Sequence, residues 1–397
     1  MDFQLTEDQI TTQKWLHDFA EKEIRPVAAE YDESEEFPWP VVKKASEIGL
    51  YSLEFYTEVS SGDPSGLTLP IALEELCWGC AGIALSIFGT GLPLASLAYT
   101  ATPEQLFQWA PLMFGTPEDP KLGAFGVTES GAGSDVSALR TTAKRDGDEW
   151  VLNGTKVFIT NGGIANVHVI VATVDANLGH RGQASFLIGP DTPGLRQGKK
   201  EKKLGIRASH TAEVIMEDCR IPLENVVGGM ERLEAKMERA RGQESTSSST
   251  ALKTFEMTRP SVAAQAVGIA RAALEFAVDY AKERTTFGRP IVEHQGVAFK
   301  LADMAMETEA ARLLTWRAAW MARTGAEFTK AEGSMSKLKA GEVAVRVTED
   351  AIQVLGGYGY IKDFPVEKWY RDAKIYTIFE GTSEIQRLVI GRALSRA

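Results

Sequence analysis

The sequence predicts an α+β protein with an N-terminal helical domain, a middle β-barrel or β-sandwich domain and a C-terminal four-helix bundle. Helical periodicity dominates residues 1–122, short strand-like runs follow over 123–227, and long helical segments return over 228–397. With 397 residues, the chain is long enough for two or three domains around a well-buried core.

The first domain begins with a clear helix signal. Thr6 and Gln9 have the spacing of a capping box, which predicts a helix beginning beside Thr6. Residues 71–99 are apolar nearly all round, and this indicates helices buried in the middle of a bundle. The first residues of the chain are acidic and polar, so we expect no export or transit signal.

The middle domain is predicted from alternating strand patterns. Asn153-Gly154 lies between two such stretches and predicts a hairpin turn. Residues 167–174, 184–190 and 212–221 are further strand candidates, separated by Gly, Asp and Pro.

Long helical patterns over 259–288, 294–325 and 328–359 predict the C-terminal bundle, with a last helix beginning near Ser383. Residues 228–254 form an atypical connector. Its charge run and Ser/Thr tract predict a solvated helical turn followed by a flexible loop.

Composition excludes several classes of protein. Hydrophobic residues make up 44% and charged residues 24% of the chain, which argues against a disordered protein or a coiled coil. The net charge of −11 argues against binding to nucleic acid or to anionic membranes. We expect no membrane-spanning helix, which would need an uncharged apolar run of ~18 residues. Three cysteines cannot build a disulfide framework and suit a reducing compartment, so we expect a cytoplasmic protein.

Thiol and metal chemistry are not indicated. Cys77 and Cys80 have the spacing of a redox motif, but they lie inside an apolar helical stretch, which favours buried structural thiols. The five histidines are dispersed, and their spacing predicts no metal site.

Four segments could bind a ligand, and each has an ordinary structural alternative. Residues 131–134 fit a small-residue loop beside a ligand or a simple tight turn. Residues 355–360 fit a phosphate contact or a helix C-cap. Residues 284–289 fit an anion site at a helix end or a solvated basic loop. Glu380, in an apolar run before a helix start, fits a base with a raised pKa or a carboxylate that caps the helix.

Taken in order, five segments resemble the acyl-CoA dehydrogenase family. They are AFGVTESGAGSD (124–135), KVFITNGG (156–163), ERTTFGRPIVEHQ (283–295), QVLGGYGY (353–360) and YRDAKIYTIFEGTSEIQRLVIGR (370–392). The resemblance covers almost the whole chain and implies the family's order of helical, β and helical domains. The connector 228–254 departs from it, being longer than usual.

The resemblance implies FAD bound between the β domain and the C-terminal bundle, with a neighbouring subunit completing the site. Thr128 would bond the pyrimidine side of the flavin, and Thr160 would lie near flavin N5. Phe158 replaces the family's common Trp and keeps an aromatic wall. The implied cofactor-binding residues are Phe125, Val127, Thr128, Gly133, Ser134, Phe158, Ile159, Thr160, Arg284, Thr286, Phe287, His294, Gln295, Gln353, Val354, Gly356, Gly357, Thr382 and Glu384.

Glu380 matches the family's catalytic base. It would take the proton α to a thioester carbonyl while the β-hydride passes to flavin N5, giving a trans-2-enoyl-CoA. The Glu380 amide and a flavin ribityl hydroxyl would stabilise the thioester oxygen. In related branches the base lies on another helix, where this chain has Thr258. The implied substrate-binding residues are Ser134, Phe255, Glu256, Thr258, Arg259, Glu380 and Gly381.

The resemblance also implies an electron transfer flavoprotein as acceptor and a homotetramer built as a dimer of dimers. An acyl-CoA oxidase is the alternative enzyme, although family oxidases usually carry an extra C-terminal domain. A non-catalytic, DNA-associated flavoprotein and a silent partner subunit of the same fold are further alternatives. Phe88 and Leu92 on the predicted pocket helix favour short to medium acyl chains.

Overall fold

A computed structural model describes residues 4–242 and 250–395, with side chains from 258 onward in the second range. Helices form the first region, a sheet the middle and helices the last, so the predicted fold class is confirmed. The N-terminal helices are α1 (Glu7–Phe19), α2 (Ala28–Ser34), α3 (Trp39–Glu47), α4 (Leu53–Thr57), α5 (Thr68–Phe88), α6 (Gly91–Thr100) and α7 (Pro103–Phe114).

The predicted capping box begins α1. Thr6 Oγ1 accepts from the Gln9 amide at 3.2 Å, and Gln9 Oε1 accepts from the Thr6 amide at 3.0 Å. Two orphan amides of the first turn are thereby satisfied.

Helix α5 lies in the middle of the fold, as its all-round apolar pattern predicts. Cys77 and Cys80 are free, fully buried thiols within it, in agreement with a packing role. By length and composition α5 and the helix segment Thr258–Glu283 could each cross a membrane, contrary to the sequence expectation. In this fold 94% of the most apolar stretch of α5 is buried inside the protein, and 61% of the corresponding stretch of Thr258–Glu283. Both are therefore core helices.

The middle region is a seven-stranded mixed sheet. Its strands are β1 (Gly123–Gly126), β2 (Thr142–Asp146), β3 (Glu149–Thr160), β4 (Val167–Thr173), β5 (Gln183–Ile188), β6 (Leu195–Lys200) and β7 (Thr211–Pro222). The order is β1-β4-β2-β3-β7-β6, with β5 also paired to β4. The residues that follow β1 lie beside the end of β3, where the site forms.

The hairpin predicted at Asn153-Gly154 is wrong. Strand β3 runs straight through these residues, and the β2–β3 turn lies at Gly147-Asp148 instead. Gly154 takes part in a register shift against β7 and lies so close to Thr141 that a Cβ would be 2.5 Å from its Oγ1. The glycine therefore serves a bulge and a close approach, the other common use of glycine in a strand.

The atypical connector contains α8 (Met230–Arg241), which confirms its helical part. The helix is not wholly solvated, because Leu233, Met237 and Ala240 are buried. Arg241 also pairs with Asp175 at 3.2 Å. Most of the predicted Ser/Thr loop falls at 243–249, outside the described residues.

The C-terminal helices are α9 (Thr250–Glu283), α10 (Gln295–Thr324), α11 (Glu332–Leu355), α12 (Val366–Ala373) and α13 (Ser383–Leu394). Helix α9 packs against α5, α10 and α11, and so joins the bundle to the N-terminal helices. A short β8–β9 pair (Thr285–Thr286 and Arg289–Pro290) separates α9 from α10.

Gly341 on α11 touches the backbone that leads to Glu380. A Cβ at this position would lie 2.5 Å from the Tyr376 carbonyl oxygen, which side-chain rearrangement cannot relieve. We expect Gly341→Ala to lower the free energy of unfolding by about 1–3 kcal/mol through overpacking. Denaturant titration measures this change.

The matched control is Gly391→Ala on α13, where a Cβ meets nothing within 4 Å. This control should be neutral or stabilising by up to about 1 kcal/mol, because alanine is the better helix former. Equal stability of Gly341→Ala and the unsubstituted protein would contradict the close contact.

Candidate active site

A cavity of about 830 Å³ lies between the N-terminal helices and α9–α10. Glu380, Thr160 and Thr258 all contribute to its wall, so the structure brings together three residues predicted from separate parts of the chain. The rest of the wall is largely apolar and includes Leu53, Tyr56, Leu69, Leu73, Leu85, Phe88, Leu92, Leu94, Val262 and Phe379. The cavity therefore suits an apolar group whose reactive end lies beside Glu380.

The Glu380 side chain is half-buried, and its Oε2 is closed to solvent. Among the described residues this oxygen has no hydrogen-bond partner. Burial raises the pKa of the carboxyl above its ordinary value, while the nearby charges of Lys337 and Arg259 oppose the rise. A carboxyl with a raised pKa and no partner is suited to accept a proton from a ligand.

The backbone of Glu380 is held in the left-handed region, with φ of 54°, and Gly381 follows with φ of 89°. Gln386 Nε2 donates to the carbonyl oxygens of both residues, at 3.1 and 2.9 Å. Lys337 Nζ donates to the Gly381 carbonyl at 2.7 Å. A non-glycine residue keeps this conformation only when its surroundings impose it, which is common at active sites.

Thr382, not Glu380, caps α13, because Thr382 Oγ1 accepts from the Ile385 amide at 3.3 Å. The capping alternative for Glu380 is therefore excluded. The Glu380 amide makes no hydrogen bond to a described residue, so it can donate to a ligand oxygen. Glu384 is exposed in the first turn of α13 and does not line the cavity.

The segment after β1 lies against the end of β3. The Val157 amide donates to the Thr128 carbonyl at 2.9 Å and fixes this contact. Phe158 has a φ of 59°, and its ring is 64% exposed. Gly133 and Ser134 are exposed on the same segment, and a Cβ at Gly133 would meet no atom within 4 Å. The structure thus brings together the two segments predicted to face the flavin ring, 125–134 and 158–160.

A buried ion pair beneath this contact was missed by the sequence analysis. Lys156 Nζ donates to Glu129 Oε1 at 2.7 Å and to the Val127 carbonyl at 3.0 Å. Glu129 also accepts from the amides of Arg140 and Thr141, at 2.7 and 2.9 Å. Burial lowers the pKa of Lys156 to about 8, and the Glu129 carboxylate opposes this shift. The sequence did offer one signal for this pair: Lys156 is a charged residue on the strand that leads to the predicted flavin contact at Phe158.

Helix α9 ends at Glu283, in agreement with the predicted helix end, and residues 285–290 then form a hairpin before α10. The turn is Phe287-Gly288, with φ of 50° and 79°, and Phe287 is 96% exposed. His294 Nε2 lies 3.3 Å from Thr286 Oγ1, which ties the hairpin to the start of α10. Two-residue loops with positive φ at both positions favour hairpins, so the Phe-Gly pair turns the chain here.

Residues 353–357 include a helix cap. Gly356, with φ of 63°, ends α11, in agreement with the C-cap alternative, and Gly356 and Gly357 face open space. Arg284 lies over the Tyr358 ring at 5.7 Å, so the hairpin and the glycine turn are neighbours. Neither segment lines the cavity of Glu380.

Only some of the predicted substrate-binding residues line the cavity. Thr258 lines the cavity, and Arg259 is buried, with Nη1 donating to Ser334 Oγ at 2.6 Å. The side chains of Phe255 and Glu256 lie outside the described residues. The contacts of these residues with a CoA thioester remain predictions.

The residues present fit FAD. Phe158 and Phe287 offer exposed rings to a planar aromatic group, and the glycines of both loops leave open space beside the backbone. Arg284 and Arg289, both exposed, supply positive charge for a diphosphate.

Comparison with known proteins gives the family. Models of the N-terminal, middle and C-terminal domains of acyl-CoA dehydrogenase match residues 6–115, 124–219 and 248–395. The mitochondrial short-chain specific acyl-CoA dehydrogenase of Rattus norvegicus is 44% identical over 99% of this chain and 92% of its own length.

Two solved structures are similar over the full length of both chains. Butyryl-CoA dehydrogenase from Megasphaera elsdenii superposes with a TM-score of 0.88 and 39% identity. A chain in the structure of the electron transferring flavoprotein of Acidaminococcus fermentans superposes with a TM-score of 0.88 and 38% identity. The chain therefore belongs to the acyl-CoA dehydrogenase family of oxidoreductases, whose members are FAD flavoproteins.

Proposed function

We propose that this protein oxidises an acyl-CoA thioester to the trans-2-enoyl-CoA, with Glu380 as the base. The observation that carries the proposal is the Glu380 carboxyl, unpartnered among the described residues, on the wall of an apolar cavity that it shares with Thr160. The acyl chain would enter this cavity with its thioester beside residue 380.

Glu380 would contribute both its carboxylate and its backbone amide to this reaction. The Glu380 carboxylate takes the proton from the carbon α to the thioester carbonyl. That carbon is a weak acid, so negative charge builds on the carbonyl oxygen as the proton leaves. The Glu380 amide, which makes no hydrogen bond to any described residue, would donate to that oxygen. The apolar wall excludes water and strengthens both interactions.

When bound, FAD supplies the acceptor for the hydride that leaves the β carbon. Residues 125–134 and 158–160 would hold its ring, with Thr128 and Thr160 as hydroxyl donors. Arg284, Phe287 and Arg289 in one segment, and Gly356 and Gly357 in the other, are exposed, and neither segment lines the cavity. We propose that they bind the diphosphate and adenosine of FAD across a contact between two copies of the chain, within a tetramer.

We propose an electron transfer flavoprotein as the physiological acceptor. The resemblance to a chain in the Acidaminococcus fermentans structure supports this proposal. Purified protein reduced by substrate should pass electrons to such a flavoprotein faster than to oxygen; the reverse order would favour the oxidase alternative.

The acyl group is proposed to be short to medium in length. The rat and Megasphaera relatives carry short-chain and butyryl names, and the bulky side chains of Phe88 and Leu92 line the cavity. Gln265 also lines the cavity, and its Oε1 accepts from Tyr376 OH at 3.1 Å.

A panel of butyryl-, hexanoyl-, octanoyl- and dodecanoyl-CoA, mixed anaerobically with the FAD-loaded protein, tests this proposal. We expect flavin bleaching to be fastest with butyryl- or hexanoyl-CoA and slowest with dodecanoyl-CoA. Fastest bleaching by dodecanoyl-CoA would contradict the proposed chain length. Bleaching by none of the panel would contradict the proposed reaction.

A further inference from the structure

Lys337 is a buried lysine that directly contacts the Glu380 turn, defined here as residues 378–382. It projects from α11, is 1% exposed, and donates from Nζ to the Gly381 carbonyl at 2.7 Å. Burying an ammonium is unfavourable unless hydrogen bonds or opposite charges offset its desolvation, so such a residue usually has a specific function. Among the described residues no carboxylate accepts a hydrogen bond from Lys337; the acceptor is the Gly381 backbone carbonyl.

The charged groups around Glu380 come from three helices. Lys337 on α11 and Arg259 on α9 carry positive charge toward it, and Glu384 on α13 lies near Lys337. Arg259 is anchored to Ser334 on α11, three residues before Lys337. Gln386 on α13 is neutral and donates to the same carbonyl as Lys337. Lys337 therefore combines a positive charge near the Glu380 carboxyl with a hydrogen bond to the backbone of the turn.

Two consequences follow from this position. The hydrogen bond to Gly381 helps to hold the positive φ of Glu380, which directs the carboxyl toward the cavity. The ammonium also favours the ionised form of Glu380, and burial of that carboxyl favours the neutral form. Only the ionised form can accept a proton.

We propose that Lys337 is a positioning residue for the reaction: it anchors the Glu380 turn through the Gly381 carbonyl and, through its charge, favours the ionised form of the Glu380 carboxyl. The proposal rests on the proposed function of Glu380 as the base. It assigns the lysine no contact with substrate or FAD.

The test compares pH profiles of kcat/KM for the FAD-loaded protein and three variants. Because Glu380 must be ionised, activity should fall as the pH drops through its raised pKa. Lys337→Met fills a similar volume but removes the charge and the donor. We expect it to move the acid limb upward by about one pH unit, the size expected for loss of one nearby opposite charge. Below the limb this shift corresponds to about a tenfold loss of kcat/KM.

Lys337→Arg keeps the charge, so its acid limb should lie close to that of the unsubstituted protein. The matched control is Lys339→Met on the same helix, because Lys339 is more exposed and pairs with Glu307. It should leave the acid limb unchanged. A general loss of packing would lower kcat/KM at every pH without moving the limb, and that result would overturn the proposal.

A second measurement does not depend on turnover. The infrared C=O band of the protonated Glu380 carboxyl, identified by its loss in Glu380→Gln, can be titrated in the absence of substrate. Its midpoint should be higher in Lys337→Met than in the unsubstituted protein, and equal in Lys339→Met. Equal midpoints in all three would overturn the role of Lys337, even if Glu380→Gln is inactive. Full activity of Glu380→Gln would instead overturn the proposed function itself.

Discussion

Replacing Glu380 with glutamine is expected to lower the rate of acyl-CoA dehydrogenation by about 10²- to 10⁴-fold, the usual contribution of a positioned base. The amide has nearly the same shape as the carboxyl but cannot accept the α proton. Folding and FAD binding should persist, since the buried Oε2 makes no hydrogen bond to a described residue. Anaerobic flavin bleaching by butyryl-CoA measures the rate, and the flavin absorbance of the purified variant measures its FAD content.

The control for this experiment is Glu234→Gln on α8, an exposed carboxylate with no ion pair among the described residues. Its bleaching rate should match that of the unsubstituted protein. If Glu380→Gln bleached as fast as the control, another group would have to be the base. Thr258 lines the same cavity, but a neutral hydroxyl is a far weaker base than a carboxylate.

The second large effect is expected at the ion pair beneath the predicted flavin contact. Glu129→Leu leaves the ammonium of Lys156, which is fully buried, without its carboxylate partner. Breaking a buried pair from one side typically costs about 3–5 kcal/mol of unfolding free energy. The change also removes the acceptor for the amides of Arg140 and Thr141. We therefore expect denaturation at lower denaturant concentration and weaker retention of FAD.

The double variant Glu129→Leu/Lys156→Met separates charge from packing. Removing both charged groups should recover part of the lost stability, because no unpaired ion remains buried. The two backbone amides would still lack their acceptor, so recovery should be incomplete. A double variant less stable than Glu129→Leu by the full effect of Lys156→Met would show that the two residues act independently.

The sequence predicts well those features that depend on local patterning. The order of the three regions, the capping box at Thr6, the buried helix around Cys77 and the start of the last helix all follow from periodicity and capping residues. The prediction failed where one dipeptide has two structural uses. Asn153-Gly154 suits both a hairpin turn and a bulge, and only pairing with β7 decides between them.

The catalytic candidate was recognised from a motif, but its surroundings could not be. Glu380 and Thr160 are 220 positions apart in the numbering, and only the packing of the sheet against the bundle places both on one cavity. Lys337 and Lys156 read as ordinary helix and strand lysines in the sequence. Their burial and their carbonyl contacts arise from tertiary structure.

Exchange of the substrate α hydrogen with deuterated water most directly tests whether Glu380 takes the α proton. Butyryl-CoA would be incubated in deuterated water with the FAD-loaded protein or with Glu380→Gln, and recovered butyryl-CoA analysed by mass spectrometry. We predict that the unsubstituted protein incorporates deuterium at the α carbon and that the variant incorporates none above the enzyme-free rate. Incorporation by the variant at the rate of the unsubstituted protein would contradict the assignment of Glu380 as the base.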